Sequence, residues 1–447
     1  MTTFPWKSIE HTLETTDTIQ RTGRVIRMSG LLVEGTLPGA QLGMLATLHI
    51  PGSTEGIPAE VVSIGENTVS LMPMKEVSGI TSGTEIRGAS STPSIPVCSD
   101  LLGRVVDPWG EPLDGKGPLQ ALEHYPLYPE VLNPMERNTV SAPLPVGVRT
   151  IDTLLTAGEG QRLAIMAGSG VGKSTLLGMM ARNSDADVKI IALIGERSRE
   201  VKHFIEHDLG EEGLQKSVVI AATSNTAAAL RIRAARAATT IAEYFRDQGL
   251  KVLLLMDSLT RVCMAQRELG LSTGEPPTTR GYPPSAFAII PQLLERAGPG
   301  VGAGSITGFY TVFLEGDDLQ DPIGDAIRAV TDGHIVLSRD LANRGQYPAI
   351  DVLGSVSRVM NQVTVPEHQK DALAFRKMLA NLRAAEELQE LGAYQKGAVP
   401  KYDRAFELSD ALWNFQGQTF EEFEHYETYL ESLQTLCGQF TAKGDAS

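Results

Sequence analysis

The sequence predicts an α/β protein, with a parallel sheet covered by helices, an N-terminal small β-barrel and a C-terminal α-helical domain. Three observations carry this. Beyond Thr150, apolar runs of strand length alternate with helical stretches. Between residues 23 and 93, short β-type runs are broken by Gly and Pro, the pattern of a small barrel or sandwich. After Pro366, Phe375, Met378, Leu379 and Leu382 follow the i, i+3, i+4, i+7 face of a helix.

A length of 447 residues allows about two to four domains. The expected division is an N-terminal arm or short helix over 1–22, a barrel over 23–93, the α/β domain over 94–366 and the helical domain over 367–447. In the arm, Phe4, Trp6, Ile9 and Leu13 recur at roughly helical spacing. Residues 91–145, rich in Pro and Gly, read as a connection packed over the next domain. Strands are expected at 162–166, 188–194, 218–222, 252–257, 305–313 and 334–338, and a long Ala- and Arg-rich helix at 226–248. The apolar runs 252–256 and 286–290 are both strand-sized, far below the ~18 residues of a membrane span.

A net charge of −15 argues against wholesale nucleic-acid binding and a basic membrane-docking surface. The N-terminus has one cation and no apolar core, so no signal peptide is expected. Three distant cysteines, Cys98, Cys263 and Cys437, predict neither a disulfide framework nor a four-ligand zinc site, and place the chain in a reducing cytoplasm. His203 and His207, an i,i+4 pair with no nearby third ligand, read as a solvated helix face. The last 47 residues hold three cations against nine anions, either a solvated acidic face or a site for a basic partner.

The strongest chemical signal is the run Ala167, Gly168, Ser169, Gly170, Val171, Gly172, Lys173 and Ser174, with Thr175 opening a helix. It follows an apolar strand, the setting of a phosphate-binding loop, and departs from the strict pattern only in having Ala167 for the first Gly. The glycines let backbone N–H groups approach phosphates, and the helix N-terminus adds partial positive charge. Lys173 would reach the β and γ phosphates of ATP and the Ser174 hydroxyl would ligate Mg²⁺. The strand ending at Asp257, some 80 residues further on, supplies the carboxylate that orients the Mg²⁺, acting through water. Glu196, just past the next strand, would face the phosphates and could polarise the attacking water; from the residues alone it is equally an ordinary helix-start Glu.

Gly195-Glu-Arg-Ser-Arg-Glu-Val, Leu255-Met-Asp-Ser-Leu-Thr-Arg261, Gly281-Tyr-Pro-Pro-Ser-Ala-Phe-Ala and Gly354-Ser-Val-Ser-Arg358 occur in that order. Together they resemble the rotary-type ATPase superfamily that includes the catalytic subunits of ATP synthase. Pro276 to Gly298 and Glu315-Gly-Asp-Asp-Leu-Gln-Asp-Pro-Ile-Gly-Asp325 resemble its type III secretion branch, the flagellar export and injectisome ATPases. The resemblance spans roughly residues 23–397; the first 20 and last 50 residues match loosely.

It implies a RecA-like P-loop ATPase core with Glu196 as the water-activating carboxylate. Arg197 would be a structural or phosphate-side cation, and Arg261 would lie on the γ-phosphate side. Tyr347 would stack on adenine; otherwise it is a packed loop aromatic. Arg358 would be an arginine finger inserted into a neighbour's site, or else a surface Arg after a strand. A finger on the same chain as the loop implies a homohexamer. The family also implies a regulatory protein at the N-terminus, and central-stalk or export-gate proteins at the C-terminal domain. Export substrates and their chaperones would be unloaded or unfolded by a cytoplasmic ATPase peripheral to the inner membrane, with flagellar export favoured over the injectisome. A non-catalytic rotary subunit would lack the Glu that stands at 196. An RNA translocase would need stacking aromatics in its N-terminal platform, and no Phe, Trp or Tyr occurs between Lys7 and Pro93. The stretch 276–298 and the acidic tail fit the export branch better than a catalytic ATP synthase subunit.

Overall fold

The computed structural model describes residues 21–53, 55–75, 77–89, 93–121, 123–130, 132–318 and 320–441. Residues 1–20 of the expected arm lie outside the described residues, and Arg21 and Thr22 already belong to the first strand. Six strands close the N-terminal unit: β1 (Arg21–Ser29), β2 (Leu32–Gly35), β3 (Leu45–His49), β4 (Ile57–Ile64), β5 (Val69–Pro73) and β6 (Glu85–Gly88). They pair antiparallel in the order β1-β2-β5-β4-β3-β6, and β6 returns to β1, so the unit is a barrel rather than a sandwich. Alternate residues point inward; Val33, Leu48, Ala59, Leu71 and Ile86 are fully buried in a core of their own.

The segment expected to be a connection packed over the next domain is that, and it also carries strands. β7 (Ser94–Val97) and β9 (Glu123–Pro126) form an antiparallel ribbon, while β8 (Arg104–Val106) joins the edge of the main sheet. The segment is also tied to the α/β domain. Arg233, on the helix Ala228–Asp247, donates to the carbonyls of Pro108 and Ser94 at 3.1 and 2.9 Å and stacks 3.9 Å above the Trp109 ring.

The main sheet comprises β8, β10 (Arg162–Ala167), β11 (Val188–Ile194), β12 (Ser217–Ala222), β13 (Lys251–Asp257), the short β14 (Gly298–Pro299), β15 (Ser305–Phe313), β16 (Gly333–Leu337) and β17 (Ile350–Ser357). Its order is β17-β16-β10-β15-β13-β11-β12-β8, with β14 beside β15. All pairs are parallel except β14 with β15 and β16 with β17. Both faces are covered, which is why the strands read as unbroken apolar runs. Val252, Leu254 and Met256 of β13 pack with the helices Ala228–Asp247 and Leu259–Ser272; Leu253 and Leu255 pack with the helix Lys173–Asn183.

One strand-sized run is not a strand. Residues 286–290 lie in the helix Pro284–Leu294, whose first turn accepts Pro284 because a helix N-terminus has no use for that N–H. Ala286, Ile289, Ile290 and Leu293 then form its buried stripe, at helical rather than alternating spacing. Among the described residues no helix is long and apolar enough to cross a membrane.

Among the described residues five helices, Met360–Val363, Pro366–Glu390, Pro400–Glu407, Ser409–Gln416 and Tyr426–Thr441, follow the sheet. Arg149 anchors them to the α/β domain: its guanidinium donates to Glu422 at 2.7 Å and to the Gly417 carbonyl at 2.5 Å, and its backbone N–H to Gln418 at 2.8 Å. Part of the acidic tail is thus engaged within the chain.

Tyr310 is fully buried, and its hydroxyl has no hydrogen-bond partner among the described residues. An unpaired buried hydroxyl costs about 1–3 kcal/mol. Tyr310→Phe is therefore expected to stabilise the fold by about 1 kcal/mol, measured as a higher urea midpoint at unchanged slope. A lower midpoint would mean that the hydroxyl has a partner in solution.

Candidate nucleotide-binding site

The parallel strands end together on one edge of the sheet, where ligands of open α/β sheets bind. Register aligns Ala167 of β10 with Phe313 of β15, and Leu193 of β11 with Asp257 of β13. The loop 168–172 leaves β10 on this edge and enters the helix Lys173–Asn183. Gly172 caps that helix at φ 90°, a left-handed conformation that admits Gly readily, so the chain can turn tightly over the helix N-terminus. Ser174 and Thr175 are exposed at the mouth of the loop.

Lys173 is the centre of the charge cluster. Its ammonium contacts Oδ1 of Asp257 and lies 3.4 Å from Oε1 of Glu196. Burial works against the Lys173 charge, but the two carboxylates outweigh it and hold the pKa above the ordinary lysine value. Glu196 is pushed up from the usual carboxylate range, by burial first, with Lys173 opposing and Asp257 adding repulsion. Asp257 is almost entirely buried, and its Oδ1 also accepts a 2.7 Å hydrogen bond from the Thr311 hydroxyl.

Gly195 explains how Glu196 reaches this cluster. Its φ of 74° turns the chain sharply out of β11, and a Cβ there would sit 2.9 Å from the side chain of Arg261. The Glu196 carbonyl then accepts the Ser224 N–H at 2.9 Å, which pins the turn. Arg261, in the first turn of the helix Leu259–Ser272, lies against Gly195 and makes no ion pair among the described residues. Arg197 is exposed, precedes the helix Ser198–His203 and pairs with Glu200 of that helix at 3.3 Å.

Tyr347 precedes β17 on the same edge. Its ring lies 3.3 Å from where a Cβ on Gly172 would be, so the aromatic stands directly beside the phosphate loop. Its carbonyl accepts the Gln418 N–H at 2.9 Å, and the Gln346 amide donates to the Trp413 carbonyl at 2.9 Å. The helical domain therefore frames this side of the site, a contribution the sequence reading missed. Gln418 sits in a polar turn with no motif, and only proximity singles it out.

Arg358 is elsewhere. β17 runs antiparallel to β16, pairing Ile350 with Leu337 and Ser357 with Gly333. The strand starts near the phosphate loop and carries the chain to the opposite edge, past the full length of β16 from Leu337 to Gly333, about 13 Å at ~3.3 Å per residue. Arg358 is exposed there, bonded through its backbone N–H to the Asp332 carbonyl, with no carboxylate partner among the described residues.

The sequence profile of the ATP synthase alpha/beta family nucleotide-binding domain matches residues 147–357, and that of the family's beta-barrel domain matches 25–88. Residues 364–435 match the T3SS EscN ATPase C-terminal domain. A flagellum-specific ATP synthase of Bacillus subtilis is 46% identical over 97% of this chain and 99% of its own length. The chain belongs to the type III secretion ATPase family. A type 3 secretion system ATPase of Sinorhizobium fredii is 47% identical over 96% of this chain and 95% of its own length. Among solved structures, the assembled ATPase EscN of enteropathogenic E. coli superposes with a TM-score of 0.87 at 43% identity, covering 93% of this chain and all of that one. EscN in complex with its central stalk EscO superposes at 0.85 and 42% identity, with the same coverage. The barrel, the nucleotide-binding α/β domain and the helical domain are those of a type III export ATPase, an ATP-hydrolysing P-loop enzyme.

Proposed function

We propose that this ATPase works as a homohexameric ring in which each nucleotide site is shared by two subunits, and that it energises flagellar protein export. The separation of Arg358 from its own phosphate loop carries the reading. One chain contains both halves of a composite site but holds them on opposite edges of one sheet, so identical subunits can complete one another.

In that site the loop N–H groups and Lys173 bind the phosphates, Lys173 exchanging Asp257 and Glu196 for them. Ser174 and Asp257 offer the hard oxygen donors that suit Mg²⁺, and among the described residues no cluster of three His, Cys, Asp or Glu would hold a metal without the nucleotide. When bound, the ion supplies neutralisation of β and γ charge. Glu196 orients the attacking water and accepts its proton. Arg261 lies on the γ side, Arg197 braces the turn that bears Glu196, and Tyr347 stacks on adenine beside Gly172. Arg358 of the adjacent subunit stabilises the charge of the transferring phosphoryl group.

The helical domain would face a central stalk; EscN is known in complex with its central stalk EscO. The barrel and arm would hold the ring and bind a regulatory protein, at a cytoplasmic site peripheral to the inner membrane. The B. subtilis relative supports the flagellar assignment, and the S. fredii relative, at nearly equal identity, supports injectisome secretion as the second reading. A deletion strain distinguishes them, since loss of filament assembly is expected and loss of effector secretion alone would favour the second.

The shared site is tested by steady-state ATPase activity against protein concentration. Specific activity should rise cooperatively as the ring assembles. Activity per chain that stays constant on dilution, while the protein is shown to dissociate, would overturn the shared site.

A further inference from the structure

We propose that Thr311 is a positioning residue for Asp257, holding the carboxylate in place when Lys173 turns to the nucleotide. This rests on the reading of Asp257 as the metal-orienting carboxylate. Thr311 lies in β15, between β10 with its loop and β13 with Asp257. It follows Tyr310, which pairs with Met256 next to Asp257, and it is fully buried. Alternation on β15 turns Tyr310 and Val312 to one face of the sheet, and Phe309 to the face that carries the helix Lys173–Asn183. Thr311 shares the side of Phe309, among apolar neighbours, where Val would meet the packing need equally well.

The hydroxyl is what Val would lack. A buried hydroxyl is costly unless bonded, and this one donates to Oδ1 of Asp257 at 2.7 Å, with the Met256 carbonyl more distant at 3.4 Å. Bonds to an ionised acceptor are the stronger kind. Among the described residues, Lys173 and Thr311 are the only donors to the Asp257 carboxylate. Once the ammonium leaves for a phosphate, Thr311 remains as the fixed donor. It then decides which oxygen points into the fold and which toward the nucleotide.

Removing a group that orients a metal-site carboxylate typically costs about 10–100-fold in metal affinity. The experiment measures binding of a fluorescent ADP analogue to the full-length chain, with and without a Mg²⁺ titration, so no turnover is needed. Thr311→Val should raise the half-maximal Mg²⁺ concentration about tenfold or more while Mg²⁺-free nucleotide affinity is unchanged, and Thr311→Ser should restore it. Thr311→Ala repeats the test if Val lowers the melting temperature. If Asp257→Asn shifts the Mg²⁺ response and the Thr311 variants do not, the positioning role is wrong. Equal loss of Mg²⁺-free binding in Thr311→Val would also sink it, as a packing effect. A Mg²⁺ response unmoved by Asp257→Asn would instead remove the reading of Asp257 itself.

Discussion

Arg358→Ala is expected to lower turnover by about 10³–10⁵-fold, equivalent to about 4–7 kcal/mol of transition-state stabilisation, while leaving nucleotide binding to the isolated chain intact. The size follows from what the side chain would do. A guanidinium inserted into a closed site meets charge that develops only in the transition state, so its loss is felt in kcat more than in KM. Binding survives because Arg358 lies on the edge of the sheet opposite its own phosphate loop, as the pairing of Ser357 with Gly333 shows. The decisive form of the experiment mixes two inactive variants. A Lys173→Ala chain keeps its finger and loses its loop cation; an Arg358→Ala chain does the reverse. Mixed assemblies contain some interfaces with both groups intact, so activity should reappear on mixing. No recovery, with mixed assembly demonstrated, would mean that each chain completes its own site.

Glu196→Gln is expected to give the second large effect, a loss of about 10²–10⁴-fold in kcat, the usual worth of a positioned general base. Gln preserves shape and hydrogen bonding but cannot take a proton from water. ATP binding should persist, because the loop and Lys173 are untouched, and the variant would trap ATP on the enzyme. The wild-type pH profile gives an independent check. Burial raises the Glu196 pKa, so the group is protonated, and unable to act as a base, at pH values where an ordinary Glu is ionised. The acid limb of kcat/KM, which reports the free enzyme, should therefore lie above the ordinary value of about 4.3 and be absent from Glu196→Gln. Activity within tenfold of wild type in the variant would assign the base elsewhere.

These two residues also differ in how they could be found. The phosphate loop is a contiguous run whose glycines and Lys173 act through local backbone geometry, so its chemistry could be read without a fold. Asp257 is nearly as legible, because a buried apolar strand ending in a carboxylate is a local pattern with the loop as context. Glu196 is ambiguous from its local pattern alone and gains its role only through the family resemblance; the turn at Gly195 and the 3.4 Å approach to Lys173 set it in the cluster. Gln418 and Thr311 gave no signal at all, since each matters through a residue about 55 to 70 positions away, Tyr347 and Asp257 respectively.

Local rules therefore reached the strand–loop–helix that binds phosphate, the barrel-type patterning of residues 23–93 and the helical character beyond Pro366, because backbone geometry and hydrophobic period are properties of short segments. They did not reach the antiparallel course of β17, the edge strand β8 or the helix across residues 286–290. Strand direction and pairing depend on partners distant in the chain, and a short apolar run suits a buried helix as well as a strand. The direction of β17 has the largest consequence. It sets Tyr347 beside the phosphate loop and carries Arg358 to the far edge of the same sheet, and that is a matter of register, which no segment carries alone.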